Sequence, residues 1–408
     1  MNGVSEIPQS IPLDPGTLAP PGARRALAGF FVSGVLLAFL GAILPSWGHH
    51  LQSDYWKIGL YFVALIAGVL AAVGFAPPLM EKKGLGWTLA CGCATASLAL
   101  LYLAFFSPPY DAWWRLPGIL LMGGAAGLLH TAIFHAISPM YRHDPAATVN
   151  LAGMLFGLGC FSVAFVVSRM FYVYTAAAIQ IWIALIPAFF AIGYARSHCA
   201  PQPVSHSPST HAILAELKSP SAVLLSLVLF FQLGNEWAIA GWLPLFLSQR
   251  LGMSPATSIL MLALYWLALL IGRLVAQWVL PRLRHSRILL LSVLVSMFAC
   301  VILTATNNRF GAVTGVLLLG GSFAPIYPLL VERIGNRFPS YHPGFYNGIF
   351  SLAMAGGLLA PCLLGYFAWL LDVRAVMAMP LIGSAIVFVL LGLIWLEERL
   401  QAFLHSAP

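Results

Sequence analysis

The sequence predicts an all-α integral membrane protein of twelve transmembrane helices, arranged as two pseudo-symmetric six-helix bundles. Three observations carry this. First, 60% of the 408 residues are hydrophobic and only 8% are charged, whereas soluble domains carry about 25% charged residues. A soluble fold of this composition would lack the polar surface to cover itself. Second, the apolar residues fall in blocks of roughly 20 or more, the length a helix needs to cross about 30 Å of hydrocarbon. The blocks have no period-2 alternation, so they are helices rather than barrel strands. Third, one long polar interval interrupts the series midway, leaving six blocks on each side.

In chain order, residues 1–24 hold two acids and five prolines with no apolar core. They are expected to form a disordered cytoplasmic tail rather than a signal peptide. The N-terminal bundle, 25–195, has spans near Arg25–Pro45, Tyr55–Leu79, Leu85–Phe106, Ala112–Met140, Ala146–Tyr172 and Ala176–Ala195. Residues 196–220, rich in Ser, Pro and His, read as a cytoplasmic linker, with a short interfacial helix near Ala212–Lys218. The C-terminal bundle, 221–398, has spans near Ser221–Leu247, Pro255–Leu280, Ile288–Thr306, Ala312–Val331, Gly344–Leu371 and Ala375–Leu396. Residues 399–408 form a polar tail. In the tenth span, Pro325 and Pro328 should interrupt the regular helix and free carbonyls.

With both ends cytoplasmic, fourteen of the 20 Lys and Arg fall on the cytoplasmic side and six on the other. The positive-inside rule selects that orientation in the inner membrane. The basic residues sit in short interhelical loops, so topology explains the net charge of +8 and nucleic acid is not an expected partner. No Cys-x-x-Cys pair occurs among the six cysteines, and the spacing of His198, His206 and His211 in the linker is irregular, so no metal site is expected. The spans hold no Ser-His, His-Glu-x-x-His or paired-Asp arrangement, which argues against an intramembrane enzyme. A membrane sensor would need an output domain or a long partner-binding loop, and the chain shows neither.

The local sequences carry a resemblance. Gly272-Arg273-Leu274 followed by Pro281-Arg282-Leu283 is similar to the C-half loop signature of the major facilitator superfamily. Glu81-Lys82-Lys83-Gly84 occupies the place of the N-half copy, without that signature's usual acid. Within the superfamily, Gly234-Asn235-Glu236, Gly241-Trp242-Leu243, Tyr265-Trp266 and Gly320-Gly321 through Pro325, Tyr327 and Pro328 resemble one branch. That branch comprises the proton-linked fucose, galactose and glucose symporters and the sodium-dependent glucose transporter-like proteins. The resemblance implies two paralogous halves related by an axis along the membrane normal, and a central cavity lined by the first, fourth, seventh and tenth spans, with the fifth, eighth and eleventh contributing. Those symporters place carboxylates in the first and fourth spans. Here the first span is uncharged and the fourth offers His130 and His135.

Glu236 is the foremost candidate. It lies near the middle of the seventh span, where an ionisable group marks a functional site by default. It is expected to bind substrate and to carry a coupling proton. Gln232, one turn away, shares its face, and Asn235 adds a second amide; both are expected to hydrogen-bond a polar solute. Trp242 either stacks on a sugar ring or anchors the span at the interface. His130 is the titratable group near the middle of the N half, either a second proton site or a core histidine bonded to a carbonyl. Asn150 and Asn347 occupy equivalent places in the fifth and eleventh spans. They are either substrate contacts or paired helix-helix hydrogen bonds, beside glycines that allow close approach. Tyr265 and Tyr327 are candidate rim aromatics. Trp237 is assigned to packing. Arg273, at the cytoplasmic end of the eighth span, is expected to act on conformation rather than on ligand.

The expected function is secondary active transport of a small polar solute, a monosaccharide, by alternating access and with proton coupling. The alternatives are a uniporter, a sodium-coupled sugar transporter, or a metabolite or drug exporter of the same superfamily. No cofactor is expected beyond H+ or Na+ as coupling ion. The expected partners are the substrate and membrane lipids, and the chain is expected to be monomeric.

Overall fold

The computed structural model describes residues 21–51, 54–143, 145–196, 219–279, 282, 284–337 and 343–406. Side-chain surroundings are described for these except at 21–22, 138–143, 145–147, 343–348, 350–351, 374–375 and 401–406. Most of the N-terminal tail and nearly all of the linker, with its three histidines and expected interfacial helix, lie outside the described residues.

The chain is a multi-pass, all-α membrane protein. Among the described residues, twelve helical spans are long and apolar enough to cross a bilayer: α1 (Ala23–Trp47), α2 (Tyr55–Lys83), α3 (Leu85–Phe105), α4 (Ala112–Ile137), α5 (Thr148–Met170), α6 (Ala176–Ala195), α7 (Pro220–Leu251), α8 (Pro255–Val279), α9 (His285–Ala305), α10 (Arg309–Arg337), α11 (Leu352–Leu371) and α12 (Ala378–Leu400). The helix opening α1 begins at Pro21 and the one carrying α12 continues to Ser406, so both bundles reach into the stretches expected to be tails. Within α10 the helix stops at Phe323 and restarts at Ile326. The cause is Pro325, whose ring and missing N–H break the hydrogen-bond ladder.

The two halves repeat one packing scheme. Helix α1 packs on α5 as α7 packs on α11, α2 on α4 as α8 on α10, α3 on α4 as α9 on α10, and α3 on α6 as α9 on α12. Glycine permits the closest of these approaches. A Cβ at Gly159 of α5 would run into the Phe31 carbonyl of α1, and one at Gly356 of α11 would run into the Phe230 carbonyl of α7. Small residues do this work in lipid because helices there gain nothing from hydrophobic association and depend on backbone proximity. The bundles meet through a symmetry-related pair of contacts, α2 on α11 and α5 on α8, with α1 against α7 between them.

With an even number of spans among the described residues, the start of α1 and the end of α12 lie at the same end of the bundle. In the half away from those ends the bundles are sealed together. Tyr55 Oη donates to Gln249 Oε1, Ser168 Oγ donates to the Ala256 carbonyl at 2.7 Å, and Phe62 stacks on Trp242 at 6.3 Å. The half nearer the chain ends holds the central cavity. On the C-terminal bundle, Arg337 pairs with Glu397 at 2.7 Å and Arg333 with Glu398 at 2.7 Å, tying α10 to α12 at the membrane edge. The outward faces of α3, α6, α9 and α12 expose Phe105, Phe189, Phe298 and Trp395, as lipid-facing helices do.

Candidate functional site

The cavity, about 100 Å³, is lined from both bundles. One water takes about 10–15 Å³ on this measure, so the space suits a small solute with part of its hydration. The lining draws on α1, α4 and α5 from one half and α7, α8, α10 and the helix of α11 from the other. Its polar groups are His130, Glu236, Arg273 and Tyr327, set among aromatic rings.

Glu236 is 5% exposed and is the one carboxylate in the described lining. Gln232 Nε2 donates to its Oε1 at 3.0 Å, across one turn of α7. Gln232 itself is buried and does not line the cavity; its part is to orient the carboxylate. The charge that acts on Glu236 is Arg273 of α8. The two form no direct ion pair, those among the described residues lying elsewhere. Across the cavity, His130 Nδ1 sits 2.8 Å from Ser33 Oγ of α1 and 3.3 Å from the Ala126 carbonyl. These contacts occupy Nδ1 and fix the ring between Phe30, Phe134 and Phe156.

Phe156, Trp237 and Trp266 form a three-ring cluster bridging the halves, with centroids 5.7 Å apart for Phe156–Trp237, 6.3 Å for Phe156–Trp266 and 6.3 Å for Trp237–Trp266. All three line the cavity, giving flat apolar surface of the kind that packs against C–H faces. Tyr327, just past the break in α10, also lines it.

Several expectations need correcting. Trp242 is fully buried away from the cavity, its Nε1 donating to the Pro361 carbonyl at 3.0 Å and its ring stacked on Phe62; it seals the far half. Trp237, assigned to packing, is the α7 tryptophan that faces the cavity, because five residues turn the helix by about 140°. Asn235 also points elsewhere. Its Nδ2 donates to Ser384 Oγ of α12 at 3.3 Å, since adjacent residues on a helix lie about 100° apart. Tyr265 is fully buried with no hydrogen-bond partner for its hydroxyl, behind the lining rather than in it. Asn150 is buried one turn before Gly153, with its Nδ2 unpartnered, and is also outside the lining. The side chain of Asn347 lies outside the described residues, and so does its expected pairing with Asn150.

Arg273 lies deeper than its place at the cytoplasmic end of the span suggests. It is 7% exposed and lines the cavity. Gly153 on α5 makes this possible, since any side chain there would run into the guanidinium. The spacing of Trp266 and Arg273, seven residues and two turns on one face, is the signal that ties the arginine to the cavity.

These features define a class. Twelve spans in two packed halves enclosing a mid-membrane cavity are the major facilitator fold, and the profile described as Major Facilitator Superfamily matches residues 225–406, the C-terminal half. That profile covers under half of the chain, and together with the fold and the relatives below it supports a secondary transporter rather than an enzyme. Among relatives, it is similar to the glucose/mannose transporter GlcP of Bacillus subtilis (strain 168), 21% identical over 377 residues, covering 90% of this chain and 92% of that one. It is also similar to an uncharacterized MFS-type transporter of Yersinia pestis (strain Pestoides F), 23% identical over 313 residues, covering 74% and 77%. Among solved structures, the E. coli fucose:proton symporter FucP superposes with a TM-score of 0.60 at 16% identity, covering 91% of this chain and 98% of that one. The nucleoside transporter NupG superposes with a TM-score of 0.66 at 14% identity, covering 91% and 99%.

Proposed function

We propose that the protein moves a monosaccharide-sized, hydroxylated solute by proton-coupled alternating access, with Glu236 carrying the coupling proton. The observation that supports this most is the position of Glu236, the one carboxylate in the described lining, between two bundles that must rock about it. A carboxylate buried at mid-membrane is stable when neutral or paired, so gain and loss of one proton changes what it can bind. Gln232 holds it, Arg273 is its available counter-charge, and the aromatic cluster offers apolar ring faces to a sugar. The names of GlcP and FucP support a sugar as substrate. Hard cations are held by several oxygens, and among the described lining side chains only Glu236 and Tyr327 supply oxygen, which favours the proton.

The excess of Lys and Arg beside the chain ends supports a cytoplasmic location for both ends in the inner membrane. On that orientation the cavity faces the cytoplasm. The two halves complete one cavity within a single chain, which supports a monomeric transporter.

The test is uptake of labelled sugars by reconstituted liposomes under imposed proton or sodium gradients. Glu236→Gln should lower proton-driven accumulation at least tenfold while leaving solute exchange measurable. Accumulation driven by sodium alone, or a variant that accumulates like the parent chain, would overturn proton coupling at this residue.

A further inference from the structure

The polar groups around the cavity are unbalanced between donors and acceptors. Arg273, more than nine-tenths buried, lines it with Nε unpartnered. Trp266, two turns earlier on the same helix face, also lines it, and its buried Nε1 is unpartnered as well. Both groups only donate. The described lining has one carboxylate, Glu236, and one of its oxygens already accepts from Gln232. Buried polar groups are ordinarily satisfied, and a buried guanidinium that meets no carboxylate directly needs an anion from elsewhere. Gly153 gives the guanidinium its seat at the cavity, since Nη1 occupies the place that a Cβ there would take.

We infer that the cavity selects a solute bearing a carboxylate, a sugar acid rather than a neutral sugar, with Arg273 and the Trp266 indole N–H as its receptors. The inference rests on the sugar-transport reading above and narrows it. A planar carboxylate presents two oxygens in the geometry that a guanidinium edge matches. It adds one negative charge where the site has one such cation. When Glu236 holds a proton, Arg273 has no internal counter-charge and the solute supplies it. When Glu236 loses the proton, it competes for the same guanidinium and the solute leaves. The aromatic cluster packs against the remainder of the ring.

The test compares D-glucose, D-glucuronate and D-glucose 6-phosphate in reconstituted liposomes, by uptake and by mutual competition, and by tryptophan fluorescence in detergent. The expected result is binding of glucuronate at least tenfold tighter than glucose. Arg273→Gln should remove that preference, and Arg273→Lys should restore part of it. Trp266→Phe, which keeps a ring and deletes the indole N–H, should reduce it severalfold. An Arg273→Gln variant in which both affinities fall in the same proportion would show a structural role and overturn the inference. Transport of glucose with no competition from glucuronate overturns it while leaving the sugar reading intact, and preference for the phosphate ester overturns the carboxylate assignment. If none of the three is moved or bound, the sugar reading fails as well.

Discussion

At the scale of single residues, the site depends on groups held by one or two hydrogen bonds each. Ser33 fixes His130 through Nδ1, and an intramolecular hydrogen bond of this kind contributes about 1 kcal/mol net. Ser33→Ala should therefore weaken solute binding by about fivefold. An isothermal titration of the detergent-solubilised protein would measure it, and an unchanged affinity would remove His130 orientation from the account. Glu236 was legible in the sequence because a charge at bilayer depth is conspicuous in any apolar span. Trp237 was not, because two tryptophans five residues apart look alike until the rotation of α7 about its axis is known. Arg273 was misplaced for a related reason. Position along a span suggests an interface, and only the facing glycine on α5 shows that the side chain turns inward.

At the scale of elements, the loop after α1 carries a group whose charge its surroundings exclude. His49 is 4% exposed, with both ring nitrogens unpartnered, and its ring meets Tyr61 edge-on at 5.6 Å. Burial first, and then the nearby Arg115 guanidinium, lower its pKa from 6.5 to about 4. Asp54 opposes the shift, while Lys57 and His50 add to it. Because the folded value lies below the ordinary one, this packing keeps its full stability above about pH 6.5. As pH falls toward 4, a form with His49 in water takes up the proton first, and the packed form loses on the order of 3 kcal/mol. Thermal unfolding in detergent should therefore drop steeply between pH 6.5 and 4.5. His49→Phe, which keeps a ring and removes the titration, should flatten that part of the profile; an unaltered slope would assign the effect to other groups. The interruption of α10 was legible in advance, since proline acts through its own covalent geometry. The far-side seal was not, because it joins residues such as Tyr55 and Gln249 that lie nearly two hundred positions apart.

At the scale of the whole molecule, contacts within a bundle and contacts between bundles should fail differently. Gly34 and Gly159 bring α1 and α5 together inside one bundle, whereas Gly59 and Gly365 bring α2 and α11 together across the two. Gly34→Leu should destabilise the fold, read as loss of monodisperse protein on size exclusion. Gly365→Leu should leave the fold intact and hold the far half apart. Transport should then fall at least tenfold, and a Tyr55→Cys probe should react faster with a membrane-impermeant maleimide. Equal behaviour of the two variants would contradict a rocking motion of rigid halves.

The sequence by itself determined the number of spans, their order and the division into two halves. Those follow from the cost of exposing backbone and charge to hydrocarbon, which acts on each segment separately. It also determined that Glu236 is out of place in a merely structural helix. Tertiary structure decided which side chains share the cavity. Helix rotation and close approach at glycines are collective properties of packed pairs, and no segment encodes them alone. They turn Trp242 and Asn235 away, bring Trp237 and Arg273 in, and set an unmatched guanidinium beside the one acid that the sequence had already marked.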